Sequence, residues 1–168
     1  MLKVFNLYFV YFFLLANISF SNENKVYYLD INFLLNNSNI GKNLINELND
    51  KNKDLDLIFS QEEKKLEDQK NEILSQQNIL EQKDFEIKVL NHQKNVQKYQ
   101  NKKKNNLEEL RKIRMEKTNQ LLAIIDQILL EFSKVEKIDM IFKKESLIIS
   151  NEKFDITNKI LDILNKKK

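Results

Sequence analysis

The chain has 168 residues, of which 32% are charged, and its formal net charge is only +3. It contains no cysteine, no proline, one glycine and one histidine. This composition excludes disulfides and a lipid-modified N-terminal cysteine, and the small net charge gives no reason to expect a nucleic-acid partner. High charge with few turn-forming residues is typical of long helices rather than of a thick globular core.

The first 21 residues have a character of their own. Lys3 supplies a positive start, residues 4–16 are almost entirely apolar, and Ser19 and Ser21 place small side chains at the −3 and −1 positions of a cleavage site. This pattern predicts a secretory signal peptide that is cleaved after Ser21. The alternative is an uncleaved anchor, but the apolar run is shorter than the roughly 20 residues that a spanning helix needs.

A short strand and a short helix follow the signal peptide. Residues 25–29 have the β-branched and aromatic composition of a strand, and Asp30 is suited to cap a helical turn over residues 31–35. The polar residues 36–39 interrupt this helix, and Ser38 or Asn39 can start a new one. Gly41 would lie in the first turn of the new helix, where glycine costs less than in the interior.

Residues 41–117 have the pattern of an antiparallel helical hairpin, an arm. The outgoing helix carries a heptad whose polar members are Asn52, Glu62 and Gln69, and whose apolar members are Ile45, Leu48, Leu55, Phe59, Leu66 and Ile73. The tip is predicted near residues 74–76, with Ser75 as the N-cap of the returning helix. That helix has side chains at three-four spacing, namely Phe85, Val89, His92, Val96, Tyr99, Lys103, Leu110 and Ile113.

The two predicted helices of the arm have opposite charge. Residues 41–74 carry 6 basic and 9 acidic side chains, whereas residues 76–117 carry 11 basic and 6 acidic ones. Opposite charge favours pairing of the two helices, although each exposed ion pair contributes less than about 1 kcal/mol. The basic run Lys102, Lys103 and Lys104 has two interpretations: attraction to an anionic membrane or lipopolysaccharide surface, or a solvated helix face that complements the acidic helix.

Residues 22–40 and 118–168 are predicted to form a discontinuous body. The apolar stripe thickens after residue 120, and a pair of strands at 138–142 and 147–149 resembles a hairpin. A sheet this small has exposed edges, and association would cover them, so we expect an oligomer. The side chains predicted to pack the body or the oligomer are Val26, Tyr28, Leu29, Ile124, Ile128, Met140, Phe142, Leu147 and Ile149.

No pattern of catalytic, cofactor-binding or metal-binding residues is present, so no enzyme activity, cofactor or metal is predicted. The chain has no glycine-rich loop and a single histidine, His92, which lies among polar and basic neighbours on a helix. Paired acids such as Glu62 and Glu63 are interpreted as a solvated helix face.

The order of these segments resembles the OmpH/Skp family of periplasmic chaperones. The resemblance lies in the signal peptide, in residues 25–30 and 38–42, and in Leu74-Ser75, where that family often turns between its arms. Residues 138–142 and 154–161 are similar to the closing strand pair and the final short helix of the family. One departure is the sequence Lys143-Lys144-Glu145-Ser146, which stands where the family usually has a glycine-containing turn.

The resemblance implies an α+β, mostly α fold in which a small sheet body trimerises and three helical hairpins enclose a cavity, as in a jellyfish. It implies an ATP-independent periplasmic holdase for unfolded outer-membrane proteins. A structural coiled-coil spacer of an envelope or secretion complex is the alternative. The residues predicted to contact an unfolded client are Phe85, Val89, Val96, Tyr99, Lys102, Lys103 and Lys104, although the same spacing fits the arm's own seam.

Overall fold

The computed structural model describes residues 24–167, so the predicted signal peptide and its cleavage site at Ser21 lie outside the described residues. The prediction of a mostly helical fold with a small sheet is confirmed. The elements in chain order are β1 (Val26–Leu29), α1 (Ile31–Asn37), α2 (Asn39–Ser75), α3 (Gln82–Glu136), β2 (Met140–Lys143) and α4 (Thr157–Lys166).

The sheet is parallel and has β1 at its centre. β2 runs along one side of β1, with Val26 opposite Met140 and Leu29 opposite Lys143. On the other side Tyr28 forms a parallel bridge with Asp155, and its carbonyl accepts a hydrogen bond from the Ile156 amide at 3.0 Å. Within residues 24–167, the outer side of β2 faces no other strand.

The predicted closing hairpin is wrong. Residues 147–149 form no strand in the described chain, because a 3-10 turn over Lys144–Ser146 follows β2 directly. Ile148 and Ile149 are 100% and 91% exposed. The segment has the β-branched composition of a strand, but composition gives a strand only where a neighbouring strand supplies hydrogen bonds.

The core lies where the C-terminal part of α3 meets β1, α1 and α4. Its buried side chains are Leu29, Leu34, Leu121, Ile125, Ile128, Ile156, Ile160 and Leu164. Among the residues predicted to pack the body, Tyr28, Leu29 and Ile128 are buried and Ile124 packs against the core. Val26 and Leu147 are half-buried.

The two β2 residues predicted to pack the body or the oligomer are exposed in the single chain. Met140 and Phe142 are 52% and 42% exposed. They line a cleft of about 510 Å³ between β2 and the end of α3, which Leu130 also borders. The apolar side of β2 is therefore left uncovered by the described chain.

Two capping side chains define how the body leads into α2. The Asp30 carboxylate accepts from the Phe33 amide at 2.8 Å and caps α1, as predicted. Ser38 caps α2 by accepting from the Gly41 amide at 3.1 Å, and its side chain is fully buried. A capping oxygen of this kind contributes about 1 kcal/mol.

Gly41 is required by a close contact between α1 and α2, which its position in the first turn of α2 did not indicate. A Cβ built on Gly41 would lie 1.8 Å from the carbonyl oxygen of Leu35, near the end of α1. The two helices therefore cross with backbone against backbone, which leaves no space for a side chain.

The C-terminal helix fastens this junction from a distance in sequence. The Asn165 amide oxygen accepts from the Asn39 amide at 2.8 Å and so satisfies a free donor at the start of α2. At the other end of α4, the Thr157 hydroxyl accepts from the Asp30 amide at 2.9 Å. The direction in which α2 leaves the body is thus fixed by α1 and α4 together.

Candidate functional site

The candidate functional site is the arm formed by α2 and the facing part of α3. The 37 residues of α2 make a helix about 55 Å long, and α3 has 55 residues. The turn between them covers residues 76–81, just beyond the predicted tip. Ser75 ends α2 rather than capping α3, and its hydroxyl donates to the Glu72 carbonyl at 2.7 Å.

The proximal arm, which we define as residues 41–59 with the facing residues 103–117, has a true apolar seam. Leu48, Phe59 and Leu110 are at most 9% exposed. At its root the Lys117 ammonium donates to the Glu47 carboxylate across the two helices. This half of the arm is consequently held by both burial and charge.

A mid-arm cluster of Phe59, Glu63, Tyr99 and Lys103 closes the proximal seam. The Tyr99 hydroxyl and the Lys103 ammonium both donate to the Glu63 carboxylate, the latter at 2.8 Å. The rings of Phe59 and Tyr99 meet edge to face at 6.2 Å, and Lys103 Nζ lies 5.3 Å from the centre of the Phe59 ring. Tyr99 and Lys103, predicted to contact a client, are therefore engaged within the arm.

The basic run is also mostly engaged. Lys102 pairs with Glu62 of α2, and Lys104 lies 3.9 Å from Glu108 of its own helix. Lys102 and Lys103 therefore complement acidic side chains of α2, whereas Lys104 pairs within α3.

The ion pairs across the arm shift the titration of their carboxyl groups. The hydrogen bond from Lys117 lowers the pKa of Glu47 below its ordinary value of 4.5. Hydrogen bonds from Lys103 and then Tyr99 lower the pKa of Glu63 in the same way. Burial, followed by the bond to Glu63, raises the pKa of Tyr99, and the bond to Glu63 raises that of Lys103.

We predict that acid loosens the arm. A carboxyl group whose pKa is lowered on folding stabilises the fold above its unfolded pKa of 4.5, and this contribution is lost as the pH falls through the folded value. The Tm of the protein, followed by its helical circular dichroism, should therefore be lower at pH 3 than at pH 6. The difference between the two Tm values should be smaller for Glu63→Gln, because that variant lacks the titrating carboxyl group. Circular dichroism at several pH values measures this.

Glu67→Gln is the matched control for this prediction. Glu67 is exposed on the same helix and forms no ion pair among the described residues. It should keep the pH dependence of the wild-type protein. Equal pH dependence of the wild type and Glu63→Gln would contradict a role for this ion pair.

The distal arm, residues 64–98, contains the remaining predicted contacts. Phe85, Val89 and Val96 lie half-buried between the helices, as members of the seam. No side chain in the described residues 60–109 is fully buried. The two helices are therefore packed much more weakly in the distal arm than in the proximal arm.

Several of the apolar side chains that the arm presents to solvent lie outside the predicted seam. Leu57, Ile79, Leu90 and Met115 are 63%, 79%, 51% and 59% exposed. Ile79 lies in the turn between the helices, whereas Leu57, Leu90 and Met115 lie on the helices but outside the three-four phase of the seam. That departure from the phase is the signal that identifies them, since an apolar side chain off the seam has no partner within a two-helix arm.

Two features are absent from the described residues: a cluster of metal ligands and a helix able to span a membrane. Residues 24–167 contain no group of three or more His, Cys, Asp or Glu side chains placed to bind a metal ion. None of the helices in this part of the chain is long and apolar enough to cross a membrane. The arm can offer apolar contact and charge to a partner.

Comparisons with known proteins give a consistent picture. A family model described as "Outer membrane protein (OmpH-like)" matches residues 25–164. The chain is also similar to a crystal structure from Caulobacter crescentus CB15, described as that of a candidate OmpH-like outer membrane chaperone, with a TM-score of 0.80 and 14% identity. The likeness covers 86% of each chain and, at this identity, shows a shared fold. No curated protein matches the sequence.

Proposed function

Since this chain belongs to the OmpH-like family, we propose that it is an ATP-independent, non-enzymatic holdase chaperone that binds unfolded outer-membrane proteins and prevents their aggregation. The observation that carries this proposal is an arm about 55 Å long that exposes single large apolar side chains among charged ones. Such a surface fits an extended, irregular partner better than a compact one.

Weak contacts spread along an arm suit a holdase. Leu57, Ile79, Leu90 and Met115 lie apart from one another in sequence, and each contributes little affinity alone. Several such contacts on one unfolded chain reinforce each other, because after the first has formed the others are intramolecular. The client is then held tightly enough to prevent aggregation and loosely enough to be released.

We further propose that three copies assemble through their bodies. The outer edge of β2 faces no strand of the described chain, Met140 and Phe142 line a cleft beside it, and Ile148 and Ile149 are exposed a few residues further along the chain. Strand addition from a neighbouring copy would satisfy the backbone and cover the apolar side chains at once. Three arms would then surround a common space.

The proposed place of action is the periplasm. Cleavage after Ser21 would release the chain on the far side of the inner membrane, where unfolded outer-membrane proteins are in transit. Peptide sequencing of the exported protein tests this, and a mature N-terminus at Asn22 is the expected result.

The holdase proposal is tested by diluting a urea-denatured outer-membrane β-barrel into buffer with and without the mature protein. We expect light scattering from aggregates to fall to background at about one trimer per client. A variant with residues 50–110 replaced by a short Gly/Ser linker should keep the body and lose this activity. The ends of the deletion lie close together, since Lys51, Asp54 and Leu110 border one cleft.

Two controls accompany this experiment. Circular dichroism and light scattering establish that the armless variant is folded and assembled. Aggregation that proceeds unchanged with the full-length protein would exclude the holdase proposal and favour a structural spacer. Full activity in the armless variant would place the binding site on the body instead.

A further inference from the structure

The distal arm lacks the packing that keeps a helical hairpin closed. Its seam consists of half-buried side chains only, namely Leu66, Ile73, Leu80, Phe85, Val89 and Val96. The polar bonds that cross it within residues 64–98 are few. Asn95 reaches Gln69 at 3.5 Å, the outer limit of a hydrogen bond, and Lys88 donates to Gln76 at 2.6 Å close to the turn.

The base of the distal arm is also open. A cleft of about 290 Å³ lies between the helices where Leu66 and Gln69 face Asn95 and Tyr99. Side chains that border a gap lose dispersion contacts on that side. The seam is therefore interrupted next to the mid-arm cluster, on the side of the tip.

His92 adds an unfavourable group to the same seam. Its Nδ1 atom is buried and has no hydrogen-bond partner among the described residues. A buried polar atom without a partner costs on the order of 1–3 kcal/mol. Opening the helices would return this atom to water and recover that cost.

The proximal arm also borders a cleft, of about 220 Å³, but it has the buried seam and the charge pair that the distal arm lacks. It buries Leu48, Phe59 and Leu110, and the Glu47–Lys117 pair bridges its root. The mid-arm cluster marks the point at which strong packing ends. Where packing weakens toward the tip in this way, local opening costs less at the tip than at the root.

We propose that the distal arm opens along its seam, and that the side chains released there bind apolar segments of the unfolded client in place of the facing helix. This inference rests on the proposed holdase function and names where on the arm the client binds. Each seam residue exchanges one half-buried apolar environment for another, so the exchange costs little. Phe85, Val89 and Val96 then pack against the facing helix when no client is bound and contact the client when one is bound.

A reversible cross-link across the distal seam tests this. The chain contains no cysteine, so the variant Gln69→Cys/Asn95→Cys reacts only at these two positions. A reducible bis-methanethiosulfonate linker spans gaps that are too long for a direct disulfide. We expect the cross-linked form to bind the unfolded barrel about tenfold more weakly, and dithiothreitol to restore binding.

The variant Glu47→Cys/Lys117→Cys is the matched control, because this pair also faces across the two helices but lies in the proximal arm. Its affinity should be the same before and after reduction. Denaturing gels show that each linker joins residues of one chain. Equal binding by the distal variant in its cross-linked and reduced forms would overturn the inference.

The two proposals fail in distinguishable ways. If the reduced distal variant and the proximal control both leave aggregation unchanged, the holdase function itself is wrong. If both hold the client and only the cross-link has no effect, the client binds elsewhere on a closed arm.

Amide hydrogen exchange on the wild-type protein gives a second, independent readout. Peptides from residues 64–98 should exchange faster than those from residues 41–59 in the empty protein, and client binding should protect one or both faces of the distal seam. Equal exchange in the two halves of the empty arm would contradict the opening.

Discussion

Replacing Gly41 with alanine is expected to lower the free energy of unfolding by about 3 kcal/mol or more, a large effect for a single methyl group. The added Cβ would lie 1.8 Å from the Leu35 carbonyl oxygen and 3.0 Å from the Ser38 hydroxyl. The first distance is far below any van der Waals contact and involves backbone, which has no rotamer with which to move away. α1 must therefore shift relative to α2.

The sign of this effect is decided by magnitude. Alanine is a better helix former than glycine by about 1 kcal/mol, so helix propensity alone predicts that Gly41→Ala stabilises α2. The shift of α1 acts against this gain. It would disturb the Ser38 cap and the packing of Leu34, an α1 side chain that is completely buried in the core. Loss of the cap and overpacking together exceed the gain in propensity.

The measurement is urea or thermal unfolding followed by circular dichroism, at one protein concentration because assembly contributes to stability. Asn43→Ala is the matched control, since Asn43 is exposed in the same turn of α2. It should unfold like the wild-type protein or slightly later. A Gly41→Ala variant as stable as this control would show that α1 and α2 can separate at the junction without cost.

The junction illustrates what sequence can and cannot give. The capping role of Asp30 could be predicted, and that of Ser38 as one of two candidates with Asn39, because a cap is a local pattern of side chain and backbone. The role of Gly41 could not, because the carbonyl that it contacts belongs to a helix crossing at an angle that tertiary packing sets. Asn165 caps α2 from 126 residues away, and local patterns carry no information on such a pair.

The arm shows the same division between local and long-range information. Seam periodicity indicated most of the side chains that face inward, since half-buried positions recur every three or four residues in both helices, but Ile45, predicted to lie in the seam, is 37% exposed. It did not give the depth of burial, which separates the proximal arm from the distal arm. That difference depends on which partners meet across the seam. Phe59 meets Tyr99 and becomes buried, whereas Leu66 borders a cleft.

The wrong prediction of a closing hairpin has a physical cause that also bears on assembly. Residues 147–149 have strand-forming side chains, but within one chain β2 is followed at once by a 3-10 turn and no strand faces the segment. A strand pattern that finds no partner in its own chain is a reason to look for the partner in another copy.

Changing Ile148 and Ile149 together to aspartate is expected to convert the proposed trimer into monomers. Both side chains are almost fully exposed in the single chain, at 100% and 91%, so the double variant should fold normally. In an assembled body each isoleucine would contribute about 1.5–3 kcal/mol by burial. Aspartate removes this contribution and places charges in an apolar strand pairing, in each of the three copies.

Light scattering coupled to size exclusion measures the outcome, and Leu57→Asp is the matched control because it removes an exposed apolar side chain from the arm instead of the body. The wild-type protein and the control should elute as trimers, and the double variant at one third of their mass. A monomeric wild type would exclude an enclosed cavity, whereas a trimeric double variant would place the contact elsewhere.

In a monomer one arm acts alone, so client binding should weaken even though every arm residue is unchanged. In the proposed trimer, contacts from several arms would add to those along each arm, and only assembly of the bodies would bring the arms together.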